Sequence, residues 1–96
     1  MTFDEFQESL AGDSPPRDLS GVLRALWLDA NDDWAGAHQA AQAESGKDGA
    51  WEHAYLHRKE GDLSNADYWY RRAGHTRPDG PLEDEWANLV TCFTSA

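Results

Sequence analysis

A single cysteine, Cys92, leaves this 96-residue chain without any internal disulfide framework. A lone thiol suits a reducing compartment, and we expect a cytoplasmic protein. No apolar run approaches the roughly 20 residues that a membrane helix needs. The opening MTFDEFQESL has neither the basic nor the apolar region of a secretory signal. Basic residues are scarce as well. Eight stand against 18 acidic ones, for a formal charge of −10. That balance argues against nucleic acid, whose phosphates are met by Lys and Arg, and against an anionic membrane surface. Alternation of apolar and polar residues at period two is almost absent, so no sheet is expected. Also missing are the H-E-x-x-H, G-x-S-x-G and phosphate-loop patterns, which leaves no motif for an enzyme to be built on.

Helical punctuation fills the chain instead. Thr2 and Glu5 form a capping box ahead of Phe3, Phe6 and Leu10, predicting a helix over about 2–11 that lays its Phe stripe across the rest as a lid. After the break at Gly12–Pro16, a stripe of Leu19, Val22, Leu23, Leu26 and Ala30 predicts a helix over about 16–30, capped by Ser14 or Asp18. A third helix, about 33–44, would bury Trp34, Ala37, His38 and Ala41, with Ser45-Gly46-Lys47 as its stop. A fourth, about 48–60, carries Ala50 and Ala54 flanked by Trp51 and Tyr55 on one side and His53 and His57 on the other. Gly61 breaks it, and Asp62 caps a fifth over 63–73 with an inward stripe of Leu63, Ala66, Trp69, Tyr70 and Ala73, ended by Gly74. A last helix, about 81–94, has acids Glu83, Asp84 and Glu85 in its first turn, where the helix dipole favours them. Its stripe is Leu82, Trp86, Leu89, Val90 and Phe93, with Cys92 expected as a core thiol. The whole is expected to be one all-α domain: hairpin one over about 16–45, hairpin two over about 48–74, then the C-terminal helix.

The two hairpins repeat at an offset of 29 residues: Asp33-Trp34 matches Asp62-Leu63, Ala37 matches Ala66, and Ala25-Leu26 matches Ala54-Tyr55. A hairpin alone exposes an apolar face, so a second is stacked on it. Gly61, Leu63, Ala66, Tyr70, Ala73 and Pro78 fall at the later consensus spacing of the tetratricopeptide repeat, which the chain resembles. It departs from that family in having His53-Ala54 where Leu-Gly is expected, its Trp51 one place late, and a period shorter than about 34. The resemblance implies a small right-handed array of antiparallel helical hairpins, about five to six helices in all. The first helix of each hairpin would line a concave face. The run from Tyr55 to Gly74 also resembles a segment, L-H-R-x-E-G-D-x-x-N-A-x-Y-W-Y-x-R-A-G, of a group of small uncharacterised proteins; that likeness implies no activity.

Three sets of residues could form a site. His53 and His57, at i and i+4, offer two imidazoles from one helix face, and His38 leans in from the preceding helix, so the three could hold a divalent transition metal. The alternative is that each ring is a core-edge histidine bonded to a carboxylate or carbonyl, Glu60 being a ready partner for His57. Tyr68 and Arg72, beside His53, His57 and Asn65, could hold a small polar or anionic ligand against Trp69, or else form a structural hydrogen-bond network. Trp27 and Trp51 sit at stripe edges, where partial exposure is expected. On a concave face, Trp51, Tyr55, Arg58 and Lys59 beside Asp29 could dock a protein or peptide. The functional expectation is a non-enzymatic binding or scaffold module, monomeric or homodimeric, acting through the central hairpin and needing no cofactor. Its alternative is a small metal-binding protein using His38, His53 and His57.

Overall fold

Capping chemistry sets most of the helix ends. In the computed structural model, which describes residues 1–94, the chain forms helices α1 (Phe3–Ser9), α2 (Gly21–Ala30), α3 (Trp34–Gln42), α4 (Gly46–Lys59), α5 (Leu63–Ala73) and α6 (Leu82–Phe93), with no strand among the described residues. The Thr2/Glu5 capping box closes reciprocally at the start of α1. α2 starts later than the sequence suggests. Neither Ser14 nor Asp18 caps it; Ser20 does, accepting from the Leu23 amide, while Pro15 to Leu19 run outside the helix. A proline tolerated in a first turn is not thereby in one, and Ser20 supplies the oxygen that the free amides need. α4 begins two residues early. Gly46, φ +85°, turns the chain straight from α3 into α4, so the expected stop is itself the start.

The repeat is also a repeat of geometry. In the α2–α3 turn the Asp33 amide donates to Leu28 O at 2.9 Å, and in the α4–α5 turn the Asp62 amide donates to His57 O at 3.0 Å. Asp33 and Asp62 then accept from the amides of Gly36 and Asn65. The residue before each Asp is left-handed: Asp32 at φ 65° and Gly61 at φ 88°. The position after each Asp is exposed in both copies, which corrects two assignments. Trp34 (37%) and Leu63 (45%) lie outside the core, because a first-turn side chain projects beyond the neighbouring hairpin.

α2–α3 and α4–α5 are the two hairpins, and α3 packs on α4 to join them. α6 folds back over α2 and α4. The main core holds Phe6, Val22, Leu23, Ala25, Leu26, Trp27, Ala37, Ala41, Tyr55, Leu56, Leu89 and Val90; a smaller one between α4 and α5 holds Ala54, Ala66 and Tyr70. Phe3 and Phe6 of α1 contact Trp86 with ring centroids 6.1 and 6.0 Å apart, so α1 is the expected lid. Trp27, expected at a stripe edge, is buried, its indole N–H donating to Ser9 Oγ at 3.2 Å. Cys92 is exposed rather than a core thiol, because Leu89, Val90 and Phe93 take the inward positions of α6. No helix among the described residues is long and apolar enough to cross a membrane.

Candidate metal centre and the cleft beside it

α4 places His53 and His57 one turn apart on the face that meets α3, and α3 places His38 opposite them. The rings form a box. His53 and His57 stack, with centroids 4.8 Å apart and planes 15° from parallel. His38 meets both edge-on, at 4.8 and 5.4 Å. One ligand nitrogen from each ring lies within 4.8 Å of the other two. His38 Nε2 and His53 Nε2 are 3.1 Å apart. Nitrogens held about 2.0–2.1 Å from a tetrahedral metal stand about 3.3–3.4 Å from one another, so this pair is already near one edge of such a site. His57 has its Nδ1 on Glu60 Oε1 at 2.6 Å, the carboxylate–histidine arrangement that fixes a ring and turns its Nε2 toward a metal.

Burial favours the neutral form of His53 and His38. His53 and His57 are each 7% exposed. Burial, reinforced by the neighbouring His38 and His57, pushes His53 down to about 4. Burial also lowers His38, with His57 adding to the effect and Glu60 opposing it. A neutral imidazole is the form that ligates. Two indoles hold the box from outside: Trp34 stacks on His38 at 4.8 Å and Trp69 on His53 at 4.2 Å.

His53 and Trp69 also line a cleft of about 840 Å³ between α5 and the α3–α4 turn, together with Lys47 and Arg72. Tyr68 and Arg72 do meet, Arg72 Nη1 donating to the Tyr68 hydroxyl at 3.3 Å, but both are on the surface rather than inside a closed hairpin. The Arg72 guanidinium lies over Trp69, 5.3 Å from the ring centroid. Asn65 is turned instead to Asp62 at the helix start.

The remaining candidates are engaged internally. Tyr55 is buried and its hydroxyl donates to Asp29 Oδ2 at 3.0 Å, while Lys59 reaches Asp29 Oδ1 at 2.7 Å. Trp51 Nε1 donates to Glu85 Oε2 at 3.2 Å and Arg58 Nη1 to Glu85 Oε1 at 2.9 Å; Arg58 also bonds Gly80 O. The Tyr70 hydroxyl joins the same carboxylate at 2.7 Å. An open concave surface of Trp51, Tyr55, Arg58 and Lys59 is therefore not what forms. Asp29 and Glu85, both 2% exposed, engage these residues; Tyr55 is buried, Trp51 and Arg58 are partly buried against α6, and Lys59 stays exposed. Burial raises the hydroxyls of Tyr55 and Tyr70, the carboxylates of Asp29 and Glu85 reinforcing the shift.

Sequence reasoning missed two residues. Its position marks Glu85 as a dipole-matching acid of a first turn, yet it clamps α6 to α4 and α5. Glu52, on α4, is fully buried, and neither of its carboxylate oxygens has a hydrogen-bond partner among the described residues. Burial, with Asp29 and Glu44 adding to it, pushes its carboxyl up to about 10. A signal existed for Glu52: at the 29-residue offset it stands where the first hairpin has Leu23, a core residue. Comparison with protein-family models, curated proteins and solved structures finds no match for this chain.

Proposed function

We propose that this protein binds a divalent first-row transition metal through His38, His53 and His57. The observation that carries the reading is the convergence of three imidazole nitrogens within 4.8 Å, with Glu60 behind His57. Imidazole suits Zn²⁺, Cu²⁺, Fe²⁺ and Ni²⁺, and an all-nitrogen set of three leaves a fourth position for water or a ligand. Closing the box around an ion asks the widest nitrogen pair to close by at most about 1.4 Å. A peptide laid along α4 would instead have to break Tyr55 and Lys59 from Asp29 and Arg58 from Glu85, so the metal reading is preferred to the peptide-docking one.

The test is a thermal melt of untagged, chelator-stripped protein with and without Zn²⁺, Ni²⁺ and Fe²⁺. Metal at a hundredfold excess over Kd adds about 2.7 kcal/mol of stability, which for a domain this size raises Tm by about 10 °C or more. His38→Ala, His53→Ala and His57→Ala should each abolish the rise, and Glu60→Gln should weaken binding by roughly 10–100-fold. No rise with any of the three metals, or one that survives all three histidine substitutions, refutes the proposal.

A further inference from the structure

His57 and His53 differ in what stands behind them. The Nδ1 of His57 is met by Glu60, whereas the Nδ1 of His53 has no hydrogen-bond partner among the described residues. A histidine that gives its Nε2 to a metal carries its proton on Nδ1, and that N–H is nearly always received by a carboxylate, carbonyl or water. For His53 no described residue supplies that acceptor. The ring lines the 840 Å³ cleft, and the same cleft is lined by Lys47 and Arg72.

Neither of these cations has a carboxylate partner among the described residues, although acids outnumber bases by 18 to 8 in the chain. Arg72 keeps its guanidinium over the Trp69 face and gives one N–H to the Tyr68 hydroxyl, which leaves other donors of its planar fork free. Glu44, the acidic residue of the cleft, has its carboxylate against Gly21 at the start of α2. Small residues, Ala41, Gly46, Gly49 and Ala50, leave the floor open, and the Trp69 indole supplies an apolar wall.

We infer that the cleft takes a small organic carboxylate, its charge received by Lys47 and Arg72 and its acid group supplying the acceptor that His53 Nδ1 lacks. Metal and carboxylate then bind cooperatively. Without metal, the His38–His53 contact lets either nitrogen of His53 carry the proton. With metal on Nε2, Nδ1–H becomes an obligatory donor aimed at the carboxylate. The coupling is reciprocal, so each ligand tightens the other by the same factor. The cooperative part rests on the metal reading, whereas the carboxylate cradle of Lys47 and Arg72 does not.

Benzoate is the probe and benzamide its neutral control, each titrated into metal-free and Zn²⁺-loaded protein. Binding is read by NMR from the amides of Gly46 and Lys47 and the Trp69 indole N–H. Benzoate should shift these signals saturably and benzamide should not. Zn²⁺ should tighten benzoate by roughly fivefold or more. Arg72→Gln should weaken benzoate by roughly tenfold or more while leaving Zn²⁺ affinity without benzoate unchanged, and Lys47→Gln should do the same. If the protein binds no Zn²⁺, the metal reading fails, and Arg72-dependent benzoate binding in the metal-free protein still supports the cradle. The inference is overturned by shifts that do not saturate, by equal shifts with benzamide, by binding indifferent to Arg72→Gln and Lys47→Gln, or by Zn²⁺ loading that leaves benzoate affinity unchanged.

Discussion

Glu52→Leu should stabilise this protein, and by an amount that grows with pH. The buried Glu52 carboxyl has no partner, and burial pushes it up to about 10 from an ordinary 4.5. Between those values the unfolded chain ionises Glu52 while the folded chain holds the proton. The folded state therefore binds more protons than the unfolded one, and stability falls as pH rises from about 4.5 towards 10. Each pH unit is worth about 1.4 kcal/mol, so by pH 7 the group has removed about 3 kcal/mol relative to acid pH. A neutral orphan carboxyl costs about 1–3 kcal/mol on its own. Against a total of roughly 5–14 kcal/mol for a chain of this length, these are large terms. Leucine is the natural replacement because Leu23 occupies the equivalent place in the first hairpin. Misfit of its branch offsets about 1–3 kcal/mol, so the sign at pH 5 is a weak test. The strong test is the slope. In urea unfolding at pH 5, 6, 7 and 8, the stability difference between Glu52→Leu and the parent should widen by about 1.4 kcal/mol per unit, a midpoint shift of roughly 1 M per unit. Glu52→Gln should widen in parallel, since it too removes the titration. All other groups cancel in the difference. A difference that stays constant across this range refutes the reasoning, because it would mean that folded Glu52 ionises as freely as unfolded Glu52.

Other consequences can be checked with the same measurement. Asp32, the non-glycine residue at positive φ, occupies the turn position that Gly61 fills in the second hairpin. Asp32→Gly should therefore raise unfolding free energy by about 0.5–1 kcal/mol, and Gly61→Ala should lower it by about 1 kcal/mol; opposite signs would show that the left-handed turn is not what the two positions share. Glu85→Ala leaves Arg58, Tyr70 and Trp51 without their common acceptor. Its denaturation curve should show a loss of about 3–5 kcal/mol, and a loss below 1 kcal/mol would mean that α6 is held by its apolar stripe alone. His53 is pushed down to about 4 by burial, with His38 and His57 adding to it. Below pH 6.5 the unfolded ring takes up a proton that the folded ring refuses, so this ring's own contribution falls as pH drops from about 6.5 to 4, opposite in slope to that of Glu52. The stability of His53→Phe relative to the parent should therefore rise as pH falls through that range, and a difference that stays constant would refute the assignment.

Legibility in the sequence followed chemistry that is local. The bounds of α5 are legible because both its ends carry their own signal, the Asp62 cap and the left-handed Gly74. The histidine box was readable because i, i+4 spacing on one helix and one further histidine in the neighbouring hairpin need only antiparallel packing to converge. Where a residue's role depends on a distant partner, periodicity is silent. Trp34 and Leu63 are bulky and stand at apolar phases, but only the neighbouring hairpin decides whether a first turn is covered. Arg58, Tyr55 and Trp51 looked like a contact surface because nothing in their own helix announces that Asp29 and Glu85, 26 to 34 residues away, will claim them. Glu52 escapes notice because a charged side chain is ordinarily solvated, and only alignment with Leu23 betrays the core position.

The way α6 is fastened bears on how the molecule assembles. Each hairpin is closed by neighbours in sequence, as in the bond from the Asp33 amide to Leu28 O, whereas α6 joins through contacts such as Trp86 Nε1 to Leu26 O, 60 residues apart. Local turns form on the microsecond scale, and closing a long loop comes later because its entropy must be lost before distant contacts repay it. The Glu85 carboxylate accordingly enters the interior last. It arrives with its charge, which Arg58 and the two waiting hydroxyl and indole donors must already be in place to receive. On this order, the desolvation of one carboxylate belongs to the docking of α6 rather than to the closing of either hairpin.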